Sequence, residues 1–136
     1  MKLRTLQSTL AALIFLFGSI VARQQTFSTS DGVKFRIETV LENLEIPWSI
    51  VFDQDGNMYF TERPGRLQVL RKGQAKPILI AELKEVAHRG EGGLMGLALH
   101  PKFSSNKFVY LSYTTSLKGD LSNKVVRFKI EDNSLS

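Results

Sequence analysis

The feature that most constrains the fold is a pattern of short apolar strands and turns that occurs twice. Pro47 and Leu94 begin corresponding strands, 47 residues apart, and matching strands and turns follow each of them in the same order. In both copies the first strand is the most continuously apolar. No stretch after residue 22 shows sustained helical periodicity. The predicted strands are 33–40, 48–52, 58–62, 66–70 and 77–81, then 94–99, 108–113 and 124–130.

A repeat of about 40–50 residues built from short strands is typical of β-propeller blades. The sequence therefore predicts an all-β fold, a β-propeller, of which this chain carries about two four-stranded blades. An ordinary β-sandwich is the alternative, although it does not require the two copies to match strand by strand. A propeller needs at least about four blades to close its ring. We therefore expect residues 33–136 to be the N-terminal part of a longer propeller domain, as a fragment or a truncated gene product.

The N-terminus has the pattern of a secretory signal peptide. Lys2 and Arg4 precede an apolar core that begins at Leu10 and continues to Ala22. This core is short for a membrane span, and small residues follow it. We predict a signal peptide over 1–22 and a flexible, polar lead-in over 23–32. The expected location is periplasmic or secreted, without stable membrane insertion after cleavage; an uncleaved anchor is the alternative.

Composition excludes several classes of function. None of the 136 residues is cysteine, which excludes disulfides, thiolate metal sites and cysteine nucleophiles. The formal net charge is +5, and the basic residues are scattered along the chain. Because no run of Lys or Arg could follow a phosphate backbone, nucleic acid is not an expected partner.

Glu91 is the strongest candidate for a site residue. It lies among Gly90, Gly92 and Gly93, directly before a predicted inner strand. This position is one end of the central channel of a propeller, where a carboxylate can accept hydrogen bonds, assist proton transfer or help to hold a cation. A solvated loop glutamate is the alternative. The glycines and Gly96 form no phosphate loop and indicate close backbone packing, or a flat ligand lying over the backbone.

Four other groups of residues are weaker candidates. His100 follows the strand at the end opposite to Glu91 and is interpreted as structural. His88 is interpreted as a solvated loop residue that could approach the channel mouth. The Asp53–Asn57 segment does not match the calcium loop of an EF-hand and predicts a hairpin turn. The Thr61–Arg66 segment predicts an ion pair, with Arg63 or Arg66 contacting an anionic cofactor as the alternative.

Three segments resemble one known family. Residues 44–52, 56–66 and 90–103 read LEIPWSIVF, GNMYFTERPGR and GEGGLMGLALHPKF. They resemble the start of the soluble glucose/sorbosone dehydrogenases, the aldose sugar dehydrogenases that use pyrroloquinoline quinone (PQQ). Hedgehog-interacting-type proteins share the same propeller. The resemblance implies a six-bladed propeller with PQQ and calcium at the channel mouth.

The resemblance also implies a reaction. An aldose is oxidised at its anomeric carbon to a lactone, while a histidine base takes the hydroxyl proton and hydride passes to the quinone. That histidine and most cofactor contacts would lie beyond Ser136, so no catalytic residue is expected within this chain. Glu91 matches a glutamine of the family that lies close to PQQ and sugar, and Gly92 and Gly93 would lie beside the cofactor. Ionised Glu only accepts hydrogen bonds, whereas Gln also donates.

The resulting hypothesis is the N-terminal part of an exported quinoprotein sugar dehydrogenase that is inactive as this chain alone. The alternative is a propeller that binds carbohydrate or protein without redox chemistry. The sugar, the electron acceptor and the oligomeric state are left open by the sequence.

Overall fold

The computed structural model describes residues 26–136, so the predicted signal peptide lies outside the described residues. The chain divides into two compact units, one up to Glu38 and one from Thr39 to Ser136. In the first, β1 (Thr26–Ser28) pairs antiparallel with β2 (Lys34–Arg36), and the rings of Phe27 and Phe35 stack 5.5 Å apart. In the part of the chain that the structure describes, no helix has the length and hydrophobicity of a membrane span.

The first strand is shorter than predicted. Alternation of apolar and polar residues predicted a strand over 33–40, but β2 ends at Arg36. Ile37 and Val40 are exposed and pair with no strand among residues 26–136. The prediction from alternation alone was therefore too long, because a strand also needs a neighbouring strand whose backbone groups pair with its own.

The second unit contains two four-stranded antiparallel sheets, as predicted for two blades. The first sheet has the order β3-β4-β5-β6 and the second the order β7-β8-β9-β10. The fold class inferred from the repeat is confirmed: the chain is all-β and carries two propeller blades. The strands of the first blade are β3 (Pro47–Phe52), β4 (Met58–Glu62), β5 (Arg66–Leu70) and β6 (Ile78–Glu82), and those of the second are β7 (Leu94–Leu99), β8 (Phe108–Leu117), β9 (Asp120–Glu131) and β10 (Ser134–Leu135).

The second blade differs from the sequence prediction in three places, one of which is its fourth strand, β10, since the last predicted strand was 124–130. The turn predicted between β7 and β8 contains one helical turn, α1 (Phe103–Asn106), which buries Phe103. The β8–β9 hairpin is longer than predicted and pairs without interruption as far as Leu117 and Asp120. Thr114 and Thr115 explain the extension, because both are β-branched and both are buried.

The core lies between the two sheets. Tyr59 and Phe103 pack edge to face with ring centroids 5.5 Å apart, which joins the first blade to α1. Close to this pair, Arg71 Nη2 donates to Asn133 Oδ1 at 2.7 Å. Each large apolar side chain buried here contributes about 1.5–3 kcal/mol. The buried cluster consists of Tyr59, Leu67, Val69 and Ile80 from the first blade and Leu94, Leu97, Phe103, Val109, Leu111, Tyr113 and Ile130 from the second.

Thr61 connects the two blades at equivalent irregularities of their first strands. The pairing register shifts between Pro47 and Ile50 in β3 and between Leu94 and Gly96 in β7. The Thr61 hydroxyl accepts a hydrogen bond from the Ser49 amide at 3.2 Å and donates to the Met95 carbonyl at 3.0 Å. One fully buried hydroxyl thus satisfies a backbone group at each irregularity.

Thr61→Val tests this bridge. Valine has nearly the same shape but leaves the Ser49 amide and the Met95 carbonyl without this partner, so the free energy of unfolding should fall by about 1–3 kcal/mol. Chemical denaturation of the protein expressed from its complete coding sequence measures the change. Thr39→Val, at an exposed position, is the matched control. Equal stability of the two variants would show that the bridge contributes nothing.

Candidate functional site

The loop between the blades is bonded at several points, so the position of Glu91 is set by the scaffold. The Leu83 amide donates to the Gly65 carbonyl at 2.9 Å, and the Leu94 amide donates to the Arg63 carbonyl at 2.8 Å. Between these ends, the Ala87 amide donates to the Thr114 carbonyl at 2.8 Å. The loop is therefore joined to the first blade at both ends and to β8 in its middle.

The glycines of this loop allow a close approach of backbone between the blades. Gly93 has φ of +150°, and a Cβ there would collide with the side chain and carbonyl of Arg63. A Cβ on Gly92 would lie 3.0 Å from Thr114 Oγ1, and one on Gly96 would lie 2.9 Å from Ser112 Cβ. The packing interpretation of these residues therefore fits the geometry. Gly93 itself is buried, and it lies against Arg63.

A groove of about 740 Å³ lies between this loop and the β8–β9 hairpin. The loop contributes Glu91 and Gly92, two of the residues predicted from the sequence. The sequence did not predict the opposite wall, because the tip of the hairpin was interpreted only as a polar turn. The two β-branched threonines before the tip could have indicated that the strands continue. The full lining is Arg89, Gly90, Glu91, Gly92, Met95, Thr114, Gly119, Leu121, Ser122 and Asn123.

The Glu91 side chain is exposed to the groove. Within residues 26–136 its carboxylate makes no hydrogen bond and no ion pair. It is also the only carboxylate among the lining residues, and Arg89 is their only cation. Glu91 is therefore free to accept hydrogen bonds from a ligand, as a hydroxyl-bearing molecule would supply.

Thr114 and Asn123 form a defined pair in the hairpin wall. They are directly opposite each other in the β8–β9 register, and Thr114 Oγ1 donates to Asn123 Oδ1 at 2.9 Å. Thr114 is 5% exposed, and its amide donates to the Gly93 carbonyl at 3.0 Å. The pair is thus attached to the glycine-rich loop by main-chain bonds.

Tyr113, which precedes Thr114 in β8, attaches the hairpin to the inter-blade loop through Glu85. The Tyr113 hydroxyl donates to Glu85 Oε1 at 2.5 Å, and Lys124 Nζ lies 2.9 Å from Glu85 Oε2. Burial, together with the hydrogen bond to Glu85, raises the pKa of Tyr113 to about 12. The phenol therefore stays protonated and acts as a donor at neutral pH.

His88 and Arg63 are brought together, a pairing that the sequence did not indicate. Arg63 Nη2 lies 2.8 Å from His88 Nε2. Because a guanidinium can only donate, His88 Nε2 is the acceptor and its ring proton is on Nδ1. The interpretation of His88 as a solvated loop residue is wrong, because it is half-buried against Arg63. Neither residue lines the groove.

His100 lies at the other end of β7 from Glu91, as predicted. Its Nδ1 accepts hydrogen bonds from the Lys102 amide at 3.0 Å and from Asn106 Nδ2 at 2.8 Å. Its ring stacks on that of Tyr110, with centroids 6.2 Å apart. These contacts hold the turn that leads into α1, which agrees with a structural role.

Glu62 is the centre of a structural ion-pair network. It is 2% exposed and accepts hydrogen bonds from Arg66 Nε at 2.8 Å, from the Glu45 amide at 2.5 Å and from Gln68 Nε2. Burial acts to raise the pKa of Glu62, but the Arg66 guanidinium and the two other donors together hold it below its usual value. The predicted ion pair is therefore present, and Arg66 is engaged in it.

The Asp53–Asn57 segment forms the predicted hairpin turn. Asp53 Oδ1 accepts hydrogen bonds from the Asp55 and Asn57 amides at 3.0 and 2.8 Å. These bonds occupy the carboxylate within the turn. Among residues 26–136, no group of three or more His, Cys, Asp or Glu side chains could hold a metal ion.

The comparisons with known proteins decide the family. A sequence profile described as glucose/sorbosone dehydrogenase matches residues 44–136. The chain belongs to the glucose/sorbosone dehydrogenase family. It is 23% identical over 116 residues to quinoprotein glucose dehydrogenase B of Acinetobacter calcoaceticus, which covers 83% of this chain and 24% of that protein. It is 29% identical over 79 residues to an aldose sugar dehydrogenase of Escherichia coli, which covers 57% of this chain and 21% of that protein.

Solved structures agree with this membership. The PQQ-bound aldose sugar dehydrogenase of Streptomyces coelicolor superposes with a TM-score of 0.63 and is 26% identical, covering 71% of this chain and 28% of that one. The chain thus spans about a quarter of the length of the curated relatives that it matches.

Gly93→Ala tests the packing between loop and blade. The new methyl group would collide with Arg63 at an unfavourable φ, so we expect a loss of about 1–3 kcal/mol in the free energy of unfolding. Gly90→Ala is the matched control, because Gly90 also has positive φ but no atom within 4 Å of its Cβ position. Thermal denaturation compares the two. A loss in Gly93→Ala no larger than in Gly90→Ala would contradict the packing role.

Glu62→Gln tests the buried network through its pH dependence. Because the folded pKa of Glu62 lies below its unfolded value, the carboxylate stabilises the fold above the ordinary pKa of 4.5, and this stabilisation is lost as the pH falls through the folded value. The variant should lose about 2 kcal/mol at neutral pH and show a weaker acid dependence. Denaturation curves above and below pH 4.5 measure both effects, with exposed Glu42→Gln as control. An unchanged acid dependence would refute this role.

Proposed function

We propose that this chain forms one wall of the active site of an exported, PQQ-dependent dehydrogenase that oxidises aldose sugars at the anomeric carbon to lactones. The observation that carries the proposal is the groove between the glycine-rich loop and the β8–β9 hairpin, with Glu91 free to accept hydrogen bonds. Membership of the glucose/sorbosone dehydrogenase family supports the reaction class. The groove supports a small polar substrate, since its lining combines apolar surface with a few polar groups.

The residues that line the groove fit part of a PQQ site. PQQ is flat and carries carboxylates, and the backbone at Gly90, where no atom lies within 4 Å of the position of a Cβ, offers a surface without a side chain on which a flat ring can lie. Arg89 is the cation in this lining that would hold a cofactor carboxylate. Glu91 would repel those carboxylates and is better suited to a sugar hydroxyl. When bound, PQQ supplies the acceptor for the two electrons that leave the sugar.

Calcium is part of the proposal through the family resemblance alone. Calcium takes about 6–8 oxygen ligands, commonly from several carboxylates. The groove lining contributes one carboxylate, Glu91. The described residues therefore do not fit a calcium site by themselves, and no step of the proposed reaction is assigned to calcium here.

Export is proposed from the signal-peptide pattern of residues 1–22, which places the enzyme in the periplasm or outside the cell. The proposed substrate is a small sugar, and the catalytic histidine is assigned to sequence that follows Ser136. This chain by itself is therefore proposed to be inactive. Its contribution to the full enzyme is to orient the sugar and to shield one side of the reacting groups from water.

Glu91→Ala tests the proposed function in the protein expressed from its complete coding sequence and supplied with PQQ and calcium. Loss of a charged acceptor should lower kcat/KM for the preferred aldose about tenfold or more. Glu91→Gln keeps an acceptor oxygen but removes the charge, so its effect should be smaller. Dye-linked oxidation of a panel of aldoses measures both variants.

Glu42→Gln and Glu42→Ala are the matched controls, since Glu42 is exposed and lies outside the groove. If kcat/KM is unchanged in both Glu91 variants, the loop has only a structural role. Failure of the complete protein to oxidise any aldose would favour a binding propeller. Oxidation by this chain alone would overturn the assignment of the catalytic histidine to later sequence.

A further inference from the structure

We propose that Asn123 donates a hydrogen bond to a hydroxyl of the sugar in the groove, opposite Glu91, and that Thr114 is the positioning residue that orients it. The inference rests on the proposed function, because it assigns a second substrate contact in the same groove. Nothing in the sequence patterns pointed to this pair as a site.

The orientation of the Asn123 amide follows from its contact with Thr114. Asn123 Oδ1 accepts the Thr114 hydroxyl at 2.9 Å. The acceptor end of the amide is therefore directed into the hairpin, and the two N–H donors on Nδ2 remain. Within residues 26–136, Nδ2 of Asn123 has no acceptor, and Asn123 lines the groove.

Thr114 is suited to hold this orientation because it is itself fixed. It is buried, its carbonyl accepts the Ala87 amide at 2.8 Å, and its amide donates to the Gly93 carbonyl at 3.0 Å. These bonds attach Thr114 to both sides of the segment that carries Glu91. Movement of the loop relative to Asn123 is therefore restricted, and the acceptor and the donor keep their relative positions across the groove.

The two walls are chemically complementary to a polyol. Glu91 can only accept hydrogen bonds, and the free end of Asn123 can only donate them. A sugar hydroxyl does both, so neighbouring hydroxyls can engage each wall at once. Met95 and Leu121 add apolar surface to the same groove, which suits the C–H face of a sugar ring. A sugar that carried a negative charge near Glu91 would meet its unpaired carboxylate, so a neutral sugar is favoured at this position.

Asn123→Asp separates this role from a structural one. Aspartate keeps the oxygen that accepts the Thr114 hydroxyl but replaces the donor by a second acceptor, across the groove from Glu91. For the preferred aldose, KM should rise about tenfold while kcat changes less than about twofold. Asn43→Asp is the matched control, since it makes the same change at an exposed position outside the groove.

Thr114 is tested with two variants. Thr114→Val removes the orienting hydroxyl with little change of shape and should raise KM in the same direction, whereas Thr114→Ser restores the hydroxyl and should recover the original KM. If Asn123 contacts one sugar hydroxyl, one monodeoxy analogue of the substrate should have the same KM with Asn123→Asp and with the unchanged protein. Equal losses for every analogue, or no recovery in Thr114→Ser, would overturn the assignment.

Binding of sorbitol, a polyol with no anomeric carbon, separates failure of this inference from failure of the proposed function. Aldose oxidation with an unchanged KM in Asn123→Asp would overturn the inference alone. If the complete protein oxidises no aldose, calorimetric titration with sorbitol tests whether Asn123 contacts a polyol. Binding that is weakened about tenfold in Asn123→Asp would support the contact, and absent or unchanged binding would overturn it.

Discussion

The close contact between Gly93 and Arg63 is the constraint on which the arrangement of the two blades depends. At this point the chain enters the second blade, and the absence of a side chain lets its backbone lie directly against Arg63. The Leu94 amide then bonds to the Arg63 carbonyl, and the Gly93 carbonyl accepts the Thr114 amide. One residue thus joins the first blade, the glycine-rich loop and β8. A side chain at this position would separate all three.

The groove follows from this junction. Since the loop is bonded to Thr114 on one side and to Arg63 on the other, the segment that carries Glu91 projects beside the β8–β9 hairpin. Tyr113 and Glu85 add a second attachment between loop and hairpin. The candidate site is therefore built on packed strands, although its polar groups are on a loop and at a hairpin end. Such support is what a substrate-orienting surface requires.

The sequence predicted the blades well because strand patterning is local. Alternation and turn residues are read directly from neighbouring positions, and strands β3 to β7 appeared within about a residue of their predicted bounds. The contacts that pack the blades together and form the groove wall depend on pairs that lie apart in the chain. The Thr61 bridge to Met95, the Arg63–His88 pair and the Thr114–Asn123 wall all need the packing of one blade on the other, or an extended hairpin, before they exist. Glu91 was found because it stands beside glycines before an apolar strand.

In the proposed site, the acid at position 91 requires hydrogen-bond donors from a second wall. The glutamine to which the resemblance aligns Glu91 could donate and accept by itself, whereas an ionised carboxylate supplies acceptors only. A sugar bound against Glu91 must therefore find its donors elsewhere in the groove. Arg89 offers donors from the same loop, but it is the one cation there that suits a cofactor carboxylate. Asn123, with its oxygen engaged by Thr114, is a neutral donor in the opposite wall, so the charge on Glu91 and the orientation of Asn123 complement each other in the proposed site.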